Sequence, residues 1–190
     1  MLKDLILKNR SYRRFHEEEK IEPEQLKEWI NLARCSPSGA NKQPLKYIIS
    51  ADKEKNDLIF KHLAWAGYLK DWSGPKEGER PSAYIIICGD TSIAPKFHCD
   101  HGIAANSILL GAVESGYGGC IIGSIRKDEL HLDLSLPEYL EILLVLALGK
   151  PAEKVVLEPV EDPDKIEYWR DEQGVHHVPK RSLEDIIISL

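Results

Sequence analysis

The run Leu140-Glu141-Ile142-Leu143-Leu144-Val145-Leu146-Ala147-Leu148 decides the fold class. Its unbroken apolar part, Ile142 to Leu148, is far short of the roughly 20 residues that cross a bilayer and has the length of a strand buried on both faces. Tyr84 to Cys88 is a second short, continuously apolar run, closed by a turn that reaches about Pro95. Strands of this kind need helices to cover them, and the chain supplies helices on either side.

Working outward, Asp100 to Ser115 reads as the clearest helix. Ile103, Ser107, Leu110 and Glu114 lie along one side of it, and the small residues Ala104, Ala105, Gly111 and Ala112 permit close packing. Cys120 to Gly123 reads as a strand and Arg126 to Leu132 as a short helix. Upstream, Leu45 to Ser50 is a strand, and Asp52 is a fit N-cap for a helix carrying Leu58, Ile59 and Leu63. Pro23 suits the first turn of a helix with Leu26, Ile30 and Ala33 inward, which must stop before Pro37. The opening residues place Leu2, Leu5 and Ile6 on one helical face that ends near Asn9.

Trp65 to Pro81 mixes Trp65, Tyr68 and Trp72 with Gly, Pro and charges, the composition of a long surface loop or lid. After Pro151 the chain turns polar and proline-rich, as expected of a tail that wraps around the body and is no domain of its own. Strand and helix segments alternate without repeats or a Gly/Ser linker. A mixed α/β or α+β sandwich in a single domain, 1–190, follows.

Composition excludes more than it selects. There are 25 Lys and Arg against 31 Asp and Glu, a net charge of −6, the wrong sign for a sequence-independent nucleic-acid binder. No span is apolar enough for a membrane, and the N-terminus lacks the apolar stretch and cleavage site of a signal peptide. A cytoplasmic protein is expected. Cys35, Cys88, Cys99 and Cys120 form no C-x-x-C, so neither a disulfide framework nor a Cys-based zinc site is expected. His98, Cys99, Asp100 and His101 are the one local group of metal-capable side chains, and a polar helix start explains them without a metal. The phosphate loop, the dinucleotide fingerprint and the nucleophile elbow are all absent, and the carboxylates are too scattered to pick out a glycosidase pair.

What remains is three polar groups at element ends. Asn9-Arg10-Ser11-Tyr12-Arg13-Arg14-Phe15 offers guanidiniums around a hydroxyl, a cradle for an anion, or else a solvated basic turn balanced by Glu17, Glu18 and Glu19. Pro37-Ser38-Gly39-Ala40-Asn41-Lys42-Gln43-Pro44 offers amides that can read a polar heterocycle, or else makes a plain helix-to-strand turn. Lys180-Arg181 is the third, near the C-terminus.

Together they resemble the flavin-dependent nitroreductases. Asn9 to Phe15 is similar to R-R-S-x-R-x-F except at its first position. Ala33 to Pro44 follows A-R-x-x-P-S-G-x-N-x-Q-P, with Leu45 where the pattern has tryptophan. Gly102 to Leu110, Gly118 to Gly123, Leu146 to Pro151 and Lys180 to Asp185 resemble the family's later landmarks, in order along nearly the whole chain.

The resemblance implies a nitroreductase-like α+β sandwich with a central mixed, mostly antiparallel sheet flanked by helices. It implies a homodimer with shared active sites, a C-terminal tail reaching the partner subunit, and FMN at the interface. Carried over by position, Arg10 and Ser11 hold the phosphate or ribityl end, with Lys180 and Arg181 completing the phosphate site. Arg13 lies by the pyrimidine edge. Pro37, Ser38, Gly39 and Asn41 reach the flavin from the opposite subunit, and Ile121, Ile122 and Gly123 offer backbone groups near its central ring. Asn9 brings no charge where the family has arginine, shifting neutralisation to Arg10, Lys180 and Arg181.

The implied activity is two-electron, ping-pong reduction of a small-molecule acceptor, a nitroaromatic or a quinone, by NADH or NADPH. The flavin carries the redox step, so no catalytic side chain is expected. Trp65, Tyr68 and Trp72 either stack over an aromatic acceptor or close the loop onto the core. Other flavin chemistry (dehalogenation, flavin fragmentation, heterocycle dehydrogenation) and a non-enzymatic flavin-binding protein are the alternative readings.

Overall fold

The computed structural model describes residues 1–188. In chain order the elements are α1 (Leu2–Lys8), β1 (Phe15–His16), α2 (Pro23–Arg34), β2 (Leu45–Ser50), α3 (Lys53–Phe60), β3 (Ala83–Asp90), α4 (Asp100–Glu114), β4 (Gly118–Ile122), α5 (Lys127–Asp133), β5 (Leu140–Pro151), β6 (Val155–Pro159), β7 (Trp169–Arg170), β8 (His176–Lys180) and α6 (Leu183–Ile186). The 65–81 segment carries no helix or strand, as its Gly and Pro content requires.

β5 is the spine of an α+β fold. It pairs with β3 along one edge and with β4 and β1 along the other, and β2 extends the sheet beyond β3. Every strand pairing in this sheet is antiparallel, and an isolated parallel bridge joins Ser11 to Gly119 of β4. Each residue of β3 is buried, which is why Tyr84 to Cys88 shows no polar alternation. The alternation instead divides between two cores. Ile85, Ile87, Leu146 and Leu148 face α2 and α4, whereas Tyr84, Ile86, Val145 and Ala147 pack with Ile59 of α3 and Leu130 of α5.

Pro23 does open α2, and Asp52 caps α3 by accepting the Lys55 N–H at 3.0 Å. α2 buries Trp29 beside Leu26 and Ala33, and Ile30 packs half-buried against the same core. Small residues let α4 approach it: a Cβ on Gly111 would lie 2.5 Å from the Leu32 side chain and 3.1 Å from Trp29. α1 buries none of its residues, and Leu2, Ile6 and Leu7 are exposed.

The tail corrects the reading of it as a mere wrap. β6, β8 and β7 form a second, three-stranded sheet in which β6 runs parallel to β8. Pro159 and Pro179 lie within these strands and read in the sequence as breaks. Parallel pairing also joins segments with no local signal between them.

Candidate active site

The stretch after α1 is laid against β4. Ser11 bridges Gly119, and the Tyr12 N–H donates to the Gly119 carbonyl at 3.0 Å. A Cβ at Gly119 would meet the Ala147 carbonyl oxygen at 2.6 Å, so glycine here lets β4 lie close against β5. The result is a cavity of about 210 Å³ lined by Arg13, Trp65, Ile121, Ile122, Gly123 and Tyr168, among others. Residues from three distant parts of the sequence analysis, Arg13, Trp65 and Ile121 to Gly123, thus meet in one place.

Arg13 is held from several sides. Its Nη1 donates to the Ser11 carbonyl at 3.2 Å and lies 3.2 Å from His176 Nε2. Since a guanidinium only donates, Nε2 is the acceptor and the His176 proton sits on Nδ1, which is buried without a partner. Burial first, and then the Arg13 and Arg170 charges, push the His176 pKa down to about 4. The Arg13 guanidinium also stands over the Tyr168 ring, 4.7 Å from its centroid.

Beneath them lies Glu153, whose side chain is 1% exposed. One of its oxygens accepts the Arg13 N–H at 2.5 Å and the Arg14 N–H at 3.2 Å, and the other accepts Arg170 Nη2 at 2.8 Å. Glu153, Tyr168 and His176 escaped the sequence reading. The one signal was that Glu153 follows the Gly149-Lys150-Pro151 landmark by two residues.

The other expected residues are dispersed. Arg10 turns Nη2 back to the Ile6 carbonyl at 2.7 Å and leaves Nε buried without a partner. Asn9 bonds Asn106 of α4 at 3.3 Å. Pro37, Ser38, Gly39 and Asn41 do not line the Arg13 cavity. Their loop is fixed on buried Asp100, which accepts the Ser38 hydroxyl at 2.6 Å and the Gly39 N–H at 3.0 Å, while Ala40, Asn41 and Gln43 hold positive φ. Lys180 and Arg181 are exposed, and Arg181 donates to the Pro163 carbonyl at 2.9 Å.

Of the loop aromatics, Trp65 lines the cavity with its indole N–H unpartnered. Tyr68 sets its ring edge-on to Tyr168 at 4.9 Å and its backbone N–H against the Tyr168 hydroxyl at 3.4 Å. Trp72 packs on the second core beneath the Arg170 guanidinium. Among the described residues, no group of three or more His, Cys, Asp or Glu could hold a metal ion, no helix is long and apolar enough to cross a membrane, and all four cysteines are free.

The model of the nitroreductase family matches residues 6–150. A Methanothermobacter thermautotrophicus protein with a provisional NADH dehydrogenase/NAD(P)H nitroreductase name is 29% identical over 175 residues, 87% of this chain and 86% of its own. An iodotyrosine deiodinase of Thermotoga neapolitana is 26% identical over 167 residues, 80% of this chain and 89% of its own. A nitroreductase family protein of Clostridium difficile 630 superimposes with a TM-score of 0.68 at 22% identity, over 97% of this chain and 95% of its own, and so shares the fold. The sheet built on β5, the two helical layers and the match over residues 6–150 lead to one conclusion: the chain belongs to the nitroreductase family.

Proposed function

We propose that this protein is an FMN-dependent oxidoreductase that uses NADH or NADPH to reduce a nitroaromatic or quinone-like small molecule. The observation that carries the reading is Arg13: it lines the cavity beside Ile121 to Gly123, and among the described residues its side chain hydrogen-bonds through Nη1 only. Its remaining N–H groups suit the electron-rich edge of a planar heterocycle. Two further donors fit an acceptor-rich group, the orphaned Trp65 indole N–H in the cavity and the orphaned Arg10 Nε.

FMN, when bound, supplies two-electron exchange between the nicotinamide donor and the acceptor. The chain binds and orients. Arg13 would stabilise negative charge at the pyrimidine edge, and the backbone of Ile121, Ile122 and Gly123 would hold the central ring. Arg10, Ser11, Lys180 and Arg181 would hold the phosphate. Trp65 and Tyr68 wall the acceptor's side, with Trp72 behind them.

The site is proposed to be shared in a homodimer. At about 210 Å³ the one-chain cavity is smaller than the roughly 300–1,000 Å³ of ordinary ligand sites, so further wall is needed. Pro37, Ser38, Gly39 and Asn41 would supply it from the second subunit. The uncovered apolar residues of α1 and of the tail, Leu2, Ile6, Leu183 and Ile187 among them, support a subunit contact in which the tail reaches the partner. On this reading residues 1–190 are one FMN-binding domain that works in the cytoplasm.

The test is anaerobic. Flavin colour should be bleached by NADH or NADPH and restored in stoichiometric amount by a nitroaromatic or a quinone. Bound flavin that neither donor bleaches leaves a non-enzymatic binding protein. The deiodinase relative favours reductive dehalogenation as the second reading, which the same assay separates by halide release from an iodinated phenol.

A further inference from the structure

A second cavity, of about 340 Å³, lies between the start of α3 and the chain entering β3, and shares no lining residue with the Arg13 cavity. We propose that it is a binding site for a small organic carboxylate with a flat apolar body.

The lining charges cancel, Lys20, Lys53 and Arg80 against Glu17, Asp52 and Asp57, but their hydrogen bonding does not. Every carboxylate is engaged. Glu17 accepts the Gly78 N–H at 2.5 Å and the Arg80 N–H at 3.3 Å, Asp57 accepts Arg80 Nη1 at 3.1 Å and Lys53 Nζ at 3.2 Å, and Asp52 caps α3. The unused groups can all donate. Arg80 Nε and the Ser82 hydroxyl are buried without a partner, the latter on a residue only 9% exposed, and among the described residues Lys20 forms no ion pair. Buried donors without acceptors cost stability, so a ligand that brings acceptors is favoured over one that brings donors.

Arg80 supplies the recognition. Its Nη1 is fixed on Asp57, which leaves the other edge of a planar fork for a carboxylate. The same guanidinium lies 4.4 Å over the Phe60 ring, and Phe60 and buried Pro81 give the apolar wall that an inorganic anion would not use. Burial drives the Tyr84 hydroxyl pKa upward, so it remains protonated, a further donor lining the cavity.

Calorimetric titration of the purified protein with benzoate tests this, with benzamide and inorganic phosphate as controls. Benzoate should saturate one site per chain, and both controls should bind at least about tenfold more weakly, as expected where charge-assisted bonds and an apolar wall act together. Arg80→Gln should weaken benzoate about tenfold and Lys20→Gln severalfold. Because Arg80 also pairs with Asp57, Ser82→Ala is the second variant. It should leave the melting temperature of the free protein equal or higher, and still weaken benzoate. A carboxylate bound at the Arg13 cavity would be indifferent to all three substitutions. Benzoate that fails to saturate, that binds all three variants as tightly as the parent, or that is matched by benzamide or phosphate overturns the proposal.

Discussion

The carboxylate of Glu153 accepts the backbone N–H of Arg13 at 2.5 Å, across 140 residues of sequence. A group just past the end of β5 thereby fixes the backbone that carries the cavity's guanidinium. The same carboxylate takes Arg170 Nη2 at 2.8 Å, and so ties the small C-terminal sheet to this point as well.

Glu153→Ala leaves two backbone N–H groups and the largely buried Arg170 uncompensated. Removing one partner of a buried pair costs about 3–5 kcal/mol, so thermal unfolding should shift far down. Glu153→Gln retains an acceptor oxygen and should lose less. Equal melting temperatures for all three proteins would show that the contact is immaterial.

Arg13→Ala should lower the reduction potential of the bound flavin and slow turnover. A charge-assisted hydrogen bond contributes about 1.5–3 kcal/mol, which for a two-electron couple is about 30–60 mV. A redox titration against dyes of known potential measures it, and an unchanged potential would refute the role given to Arg13.

How much of this was legible in the sequence depends on distance along the chain. Pro23, Asp52 and the Ile142 to Leu148 run announce their elements through local rules, and all three do what those rules require. Arg13 and Ile121 to Gly123 were legible through resemblance, and they do line one cavity. Glu153 was not, because its importance comes from what folds around it, and nothing local distinguishes it from the other acids. The same holds for His176 and Tyr168, which reach Arg13 from the small sheet in which β8 pairs with β6 and β7.

Stability should depend on pH through two adjacent histidines with opposite signs. The pKa of His176 is lowered to about 4, so between that value and its ordinary 6.5 the unfolded chain binds the extra proton. Acidification through this window therefore destabilises the fold, by up to about 1.4 kcal/mol per pH unit. His177 is desolvated, but the hydrogen bonds that Asp171 and Glu158 accept from its ring outweigh this and raise its pKa. Its contribution is complete below 6.5 and is lost as pH rises through the raised value. Melting temperature against pH should fall on both sides of about 6.5. His176→Gln should flatten the acid side alone and His177→Gln the other, and parallel profiles for all three proteins would contradict this.

Gly119→Ala drives a methyl group to within 2.6 Å of the Ala147 carbonyl oxygen, in a backbone pairing that cannot yield without opening β4 from β5. Overpacking of this kind costs about 1–3 kcal/mol. It should also loosen Ser11 and Tyr12, which pair with Gly119. Chemical denaturation should report the loss, and a midpoint equal to the parent's would mean that the strands have room to part.

The claim that this chain builds a flavin site around Arg13 is tested most directly by the visible absorption spectrum of the purified protein before and after addition of FMN. The account predicts a yellow protein, or a colourless one that takes up FMN stoichiometrically, with uptake sharply weakened in Arg13→Ala. A colourless protein that fails to retain added FMN would contradict it.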